Sequence, residues 1–145
     1  MRSNHEKFMR MAIGRAEAGD APYGAVMVQN GIVVASSFNT VKADRDPTAH
    51  AEIKLVRATV RELGLTNLET CTMYSTVEPC PMCMGAAMLA GVGTVVYGAS
   101  IQEVKAYRPQ IELSCREVAA RGFRKIEVIG GVLGDLCVAP FGLGK

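Results

Sequence analysis

The chain has 145 residues, of which 49% are hydrophobic and 21% charged; that is enough apolar material for one cored domain, residues 1–145, and it excludes a disordered chain. Sixteen basic against 14 acidic side chains leave a net charge of +2, which supplies no bulk excess of cations for gripping nucleic acid but leaves a local patch open. No run reaches the roughly 18 apolar residues of a spanning helix, and Met1 to Arg10 carries Asn4, His5, Glu6 and Lys7 where a signal core would be apolar, so a soluble cytoplasmic protein with no membrane partner is expected.

In chain order, Phe8, Met11, Ala12 and Ala16 recur at helical spacing and predict a helix over Asn4–Ala18, stopped by Gly19-Asp20. Gly24–Val28 and Ile32–Ala35 read as strands, and the Asn30-Gly31 between them is a strong hairpin signal because that turn needs positive φ. Asn39 to Pro47 is a polar loop. Ile53, Val56, Val60 and Leu63 form the apolar stripe of a helix over Ala49–Leu63, stopped by Gly64. A strand over Thr72–Thr76, a Met- and Ala-rich helix over Cys80–Ala90 and a strand over Thr94–Gly98 follow.

A further helix lies between Pro109 and Arg121. Pro109 suits a first helical position, whereas Ser114 with Glu117 makes a capping-box pattern, so its start stays open. Lys125–Ile129 is the last strand. Strands alternating with helices imply an α/β layered sheet, parallel in its second half. The end of the chain, Phe141–Lys145, reads as frayed, with Phe141 a candidate to cap a pocket.

Two short patterns carry chemistry. Pro47-Thr48-Ala49-His50-Ala51-Glu52 and Glu78-Pro79-Cys80-Pro81-Met82-Cys83 both fall where a helix begins. Five cysteines without a signal peptide favour reduced thiols over a disulfide framework. Cys80 and Cys83, at i and i+3 on a first helical turn, point to one side, and the helix N-terminus favours their thiolates. With His50 they offer three ligands, the set for tetrahedral zinc with one open position.

Glu52 follows His50 by two residues, about 200° round an ideal helix, so both reach one ion only if it lies off the helix end. A carboxylate there can move a proton for water at the open corner. Taken singly, Cys-x-x-Cys also fits a redox pair or half of a structural zinc site, and His50 or Glu52 a surface residue. A closed structural site would need a fourth ligand; His5, Cys71, Cys115 and Cys137 are the candidates, and none has partner spacing.

His50-x-Glu52 followed by Pro79-Cys80-x-x-Cys83 resembles the signature of the zinc-dependent nucleobase deaminases, the cytidine deaminase superfamily. The resemblance runs from Pro22-Tyr23-Gly24-Ala25-Val26 to Gly131-Val132-Leu133, nearest the branch of guanine, cytosine and tRNA adenosine deaminases. It implies a three-layer α-β-α fold on a mixed five-stranded sheet and a homodimer or larger assembly. It implies Zn2+ on His50, Cys80 and Cys83, Glu52 as proton shuttle, Asn39 as substrate-binding amide, and backbone of Ala51 and Ala25 along the pocket.

Three substrates or roles compete. A small amino-substituted purine or pyrimidine base or nucleoside, deaminated with release of ammonia, is favoured. Adenosine in a tRNA anticodon is the alternative. A zinc-stabilised module without turnover is the third. Leu133–Lys145 holds one Lys and one Asp, unlike the basic final helix of the tRNA branch. The other cations, Arg57, Arg61, Arg108 and Arg116 among them, are dispersed and read as solvated helix faces. Arg121, Arg124 and Lys125 form the one cluster.

Pro81 leans towards the guanine branch, whose C-terminal acids read the base; Glu103, Glu112 and Asp135 are the candidates here. Met82, Met84 and Met88 read as core filling, Tyr74 and Tyr97 as packed strand residues, and Cys71, Cys115 and Cys137 as small buried hydrophobes.

Overall fold

In the computed structural model, residues 2–65 and 68–143 are described. Five strands make one sheet in the order β2-β1-β3-β4-β5. They are β1 (Gly24–Gln29), β2 (Ile32–Phe38), β3 (Cys71–Val77), β4 (Thr94–Ala99) and β5 (Glu127–Ile129). β1 pairs antiparallel with both β2 and β3, while β3/β4 and β4/β5 are parallel. The mixed sheet and its parallel second half are as the sequence pattern requires. The hairpin turns at Asn30 and Gly31, both with positive φ.

Alternation along the strands splits the interior in two. Ala25, Met27, Met73 and Val95 face one way, onto α3 (Ala51–Leu63), α4 (Pro81–Ala90) and α6 (Cys115–Ala120). Val26, Val28, Tyr74 and Val96 face the other way, onto α1 (Arg2–Ala16), α5 (Ile101–Val104) and α7 (Gly134–Gly142). This is the three-layer arrangement. Met84 and Met88 are buried in the first core, and Tyr74 in the second. No helix among the described residues is long and apolar enough to cross a membrane.

Where expectation and structure part, a local contact explains it. α1 stops at Ala16, not Ala18. β2 runs on to Phe38 because Ser36 and Ser37 pair with Val26 and Ala25, a cross-strand ladder with no hydrophobic alternation to announce it. The polar loop holds one helical turn, α2 (Val41–Asp44). α6 starts after Ser114, whose hydroxyl accepts from the Glu117 N–H at 3.2 Å, so the capping pattern and not Pro109 sets the start. Ser100 and Glu103 form a full capping box on the short α5, which the sequence reading missed. The frayed end is also corrected: Phe141 is buried in α7, and the remaining expectation, for residues 144–145, lies outside the described residues.

Gly24 shows how tightly α1 lies on the sheet. A Cβ there would run into the backbone of Ala12 and Ala16, and the Gly24 N–H donates to the buried Thr76 hydroxyl at 3.1 Å. Backbone cannot yield as a side-chain tip can. Gly24→Ala is therefore expected to destabilise the fold by about 1–3 kcal/mol or more, read as a lower urea midpoint with an unchanged slope.

Candidate metal centre

Both ligand-bearing turns are built by local hydrogen bonds. Asp46 Oδ1 accepts from the Thr48 N–H at 2.8 Å and from its hydroxyl at 2.7 Å, folding Asp46-Pro47-Thr48 into a tight turn. Those bonds hold the Asp46 carboxyl below its ordinary pKa. Thr40 N–H donates to Ala49 at 3.0 Å, closing the loop back on the end of β2. His50 then stands as the N-cap of α3 with extended backbone. Cys80 is likewise the extended N-cap of α4, with Pro81 in the first turn and Gly91 in the left-handed conformation at its end.

These two helix starts face each other. His50 Nδ1 lies 3.7 Å from Cys80 Sγ and 3.7 Å from Cys83 Sγ, and one ligand atom from each of the three lies within 4.8 Å of the others. Zn–S bonds of about 2.3 Å and Zn–N bonds of about 2.0–2.1 Å place tetrahedral S and N ligands roughly 3.6 Å apart, so the spacing fits a zinc ion. The two thiols and His50 shift one another. Cys80 is pulled down to about 4, chiefly by the hydrogen bond from Cys83 and next by His50, while Cys83 is pushed up because it shares its proton with the Cys80 sulfur. His50 is raised, first by its contact with Cys80.

Among the described residues, no fourth His, Cys, Asp or Glu joins this group. The four suspected closers are elsewhere. His5 meets the Tyr74 hydroxyl at 2.8 Å, against the core on the other face of the sheet. Cys71, Cys115 and Cys137 are buried, and burial pushes the last two thiols up to about 12. Among the described residues the donor set is therefore three side chains, His50, Cys80 and Cys83.

Glu52, in the first turn of α3, is 4% exposed and stands outside the ligand group. Burial above all, and then the negative charge on Cys80, push its carboxyl up to about 7. A carboxyl poised near neutrality can take up and release a proton in turn. His50, Glu52 and Cys80 line a cavity of about 430 Å³, within the usual range for small-ligand sites.

Asn39 lines the same cavity, buried, with its Oδ1 accepting from the Val41 N–H at 3.1 Å. Lys54 of α3 donates to the Phe38 carbonyl at 3.1 Å and the Thr40 hydroxyl at 2.7 Å, holding the backbone before Asn39 and the side chain after it. Ala51 and Ala25 are placed differently. Both are fully buried, Ala51 as the first residue of α3 and Ala25 on β1, and neither is among the residues that line the cavity.

The three acids considered for reading a base also lie outside the cavity lining. Glu112 pairs with Lys105 at 3.0 Å, Glu103 caps α5, and Asp135 opens α7. The outer wall is instead Arg108 to Ile111, with Tyr23 opposite, where the Gln110 amide donates to the Tyr23 hydroxyl at 3.5 Å. Arg108 is thus a half-buried wall residue and not a solvated helix face. Phe141 does not cap the cavity; it packs edge-on against the back of Tyr23, ring centroids 5.3 Å apart.

A second buried acid, Glu78, lines the cavity too, and sequence reasoning gave it no role. Its signal was a lone carboxyl closing an apolar strand. Arg108, Gln110 and Tyr23 carried no comparable signal, since the wall segment has no periodicity.

Comparison with known proteins agrees with this geometry. The cytidine and deoxycytidylate deaminase zinc-binding region matches residues 2–99. A guanine deaminase of Bacillus subtilis (strain 168) is 41% identical over 101 residues, 66% of this chain and 65% of that protein. A tRNA-specific adenosine deaminase of the same organism is 37% identical over 136 residues, 91% of this chain and 83% of that protein. A structure solved in complex with 2,6-diaminopurine superimposes with a TM-score of 0.83 at 28% identity, covering 96% of this chain and 80% of the other. The fold, the three-ligand group suited to Zn2+ and the matched region agree: the chain belongs to the cytidine and deoxycytidylate deaminase zinc-binding family.

Proposed function

We propose that this chain is a hydrolytic deaminase acting on a small amino-substituted purine or pyrimidine base or nucleoside. Zn2+ on His50, Cys80 and Cys83 would supply Lewis acidity and a nucleophile at neutral pH. The chain's own residues do the rest. Glu52 takes the proton from the attacking water, gives it to the ring nitrogen beside the amino-bearing carbon, and carries one to the departing amine, so that water and a ring amine become a carbonyl and ammonia. Asn39, its carbonyl oxygen engaged by Val41, meets the heterocycle as a donor through its NH2. The carrying observation is a buried carboxyl beside an open three-ligand group in one base-sized cavity.

A small substrate fits the base-sized cavity, whose lining carries only the cations Lys42 and Arg108, while the one basic cluster lies elsewhere. The helix α7 contains no cation and folds inward on Tyr23. Arg124 and Lys125 line a separate hollow with Phe123. Arg124 sits against Gly91, at the opposite end of α4 from Cys80.

The zinc-loaded protein should release ammonia from one or more of guanine, cytosine, adenine, their nucleosides and amino-triazines. Turnover confined to an anticodon stem-loop would establish the tRNA alternative instead. Full metal content with no turnover on any of these would leave the non-catalytic module.

A further inference from the structure

Glu78 ends the β3 edge of the site two residues before Cys80, with its N–H donating to the Ala99 carbonyl at 2.7 Å. Its carboxylate is 6% exposed in residue terms, and its two oxygens go to different places. Oε1 accepts from the Ile101 N–H at 3.0 Å, and Oε2 from the Cys115 N–H at 2.8 Å. These are the first helical residues of α5 and α6. The opening N–H groups of a helix have no partner inside it. At each of these helices the cap serine meets one such group and Glu78 meets another.

Residues 105–114 run between these two fastened points, and they supply the cavity wall from Arg108 to Ile111. The side-chain tethers along this stretch include the exposed Lys105–Glu112 pair and the long Gln110–Tyr23 hydrogen bond. One buried, charge-assisted acceptor holding both roots outweighs them.

We propose that Glu78 is a positioning residue. Its single carboxylate pins both roots of the 105–114 stretch to the turn that carries Cys80, and so sets the outer wall of the cavity against the metal site. The tether stands on geometry alone; its effect on a substrate rests on the reading of the cavity given above. Because both oxygens are already committed to backbone, Glu78 is not a second shuttle beside Glu52.

Glu78→Gln keeps the shape but offers one acceptor and turns an NH2 towards the other donor. Cys115→Pro removes a donor from the opposite side, at a first helical position that tolerates proline. Both variants, zinc-loaded, are compared with wild type by amide hydrogen exchange, by cobalt-substituted absorption, and by KM and kcat on a panel compound that wild type turns over. Val96→Ala, a buried strand substitution away from the tether, controls for general destabilisation.

Exchange across 105–114 should quicken by about tenfold or more in both tether variants. The cobalt spectrum should stay unchanged, and KM should rise more than kcat falls. Val96→Ala should lower the melting temperature and leave exchange in 105–114 and KM as they were. Unchanged exchange in 105–114 in the tether variants, or a rise no larger than in Val96→Ala, would overturn the proposal. Wild type that turns over nothing would defeat the deaminase reading, while the exchange result still decides the tether.

Discussion

Glu52→Gln is expected to retain one zinc ion per chain and to lose turnover by about 10²–10⁴-fold, the usual range for removing a positioned proton carrier. The carboxyl is outside the ligand group, so the substitution removes no metal donor. Gln preserves the volume and the hydrogen-bonding reach of the side chain. What it cannot do is hold a proton in one step and release it in the next. Metal content by atomic emission and ammonia release on the preferred panel compound give the two readouts. Near-normal turnover in Glu52→Gln would remove Glu52 from the chemistry.

A second signature separates this from structural damage. In the zinc-stripped chain, an acid buried to 4% exposure costs stability that a neutral amide does not. In that state Glu52→Gln should therefore melt at the same temperature as wild type or above it. A residue whose removal lowers turnover while leaving or raising stability is held in place by its function.

The residues that make the centre were legible because short-range chemistry fixes them. A helix start presents two cysteines three residues apart on one side, and a polar turn before α3 presents a histidine. His50 and Glu52 line one cavity despite the roughly 200° between positions two apart on an ideal helix. His50 is the N-cap, outside the helical repeat, so the 100° step never separates the two.

The wall was not legible. Arg108 to Ile111 has neither period nor turn signature, and its position comes from backbone N–H groups 23 and 37 residues beyond Glu78 in sequence. Nothing local in Glu78-Pro79-Cys80 says which amides that carboxylate will find. The helix α7 was hidden for a similar reason. Gly134–Gly142 has a proline inside it and no capping side chain, and it is a helix because Cys137 and Phe141 have a second core to enter.

Removing the metal should abolish turnover without unfolding the chain. Chelation, or His50→Ala or Cys80→Ser in place of chelation, takes away the three-ligand centre but leaves both apolar cores, on either face of the sheet, intact. Far-UV circular dichroism should stay native-like. The melting temperature should fall all the same, since a ligand that binds only the folded state stabilises it by mass action. At a thousandfold excess over Kd that term is about 4 kcal/mol, or roughly 10–15 °C for a domain of this size. The drop should therefore scale with free zinc concentration in wild type and vanish in the ligand variants. A module that used zinc only as a staple would behave differently, losing its fold with its metal. A native-like apo chain that regains ammonia release on adding zinc back would place the ion in the chemistry and not in the scaffold. Collapse of the circular dichroism spectrum on chelation would reverse that assignment.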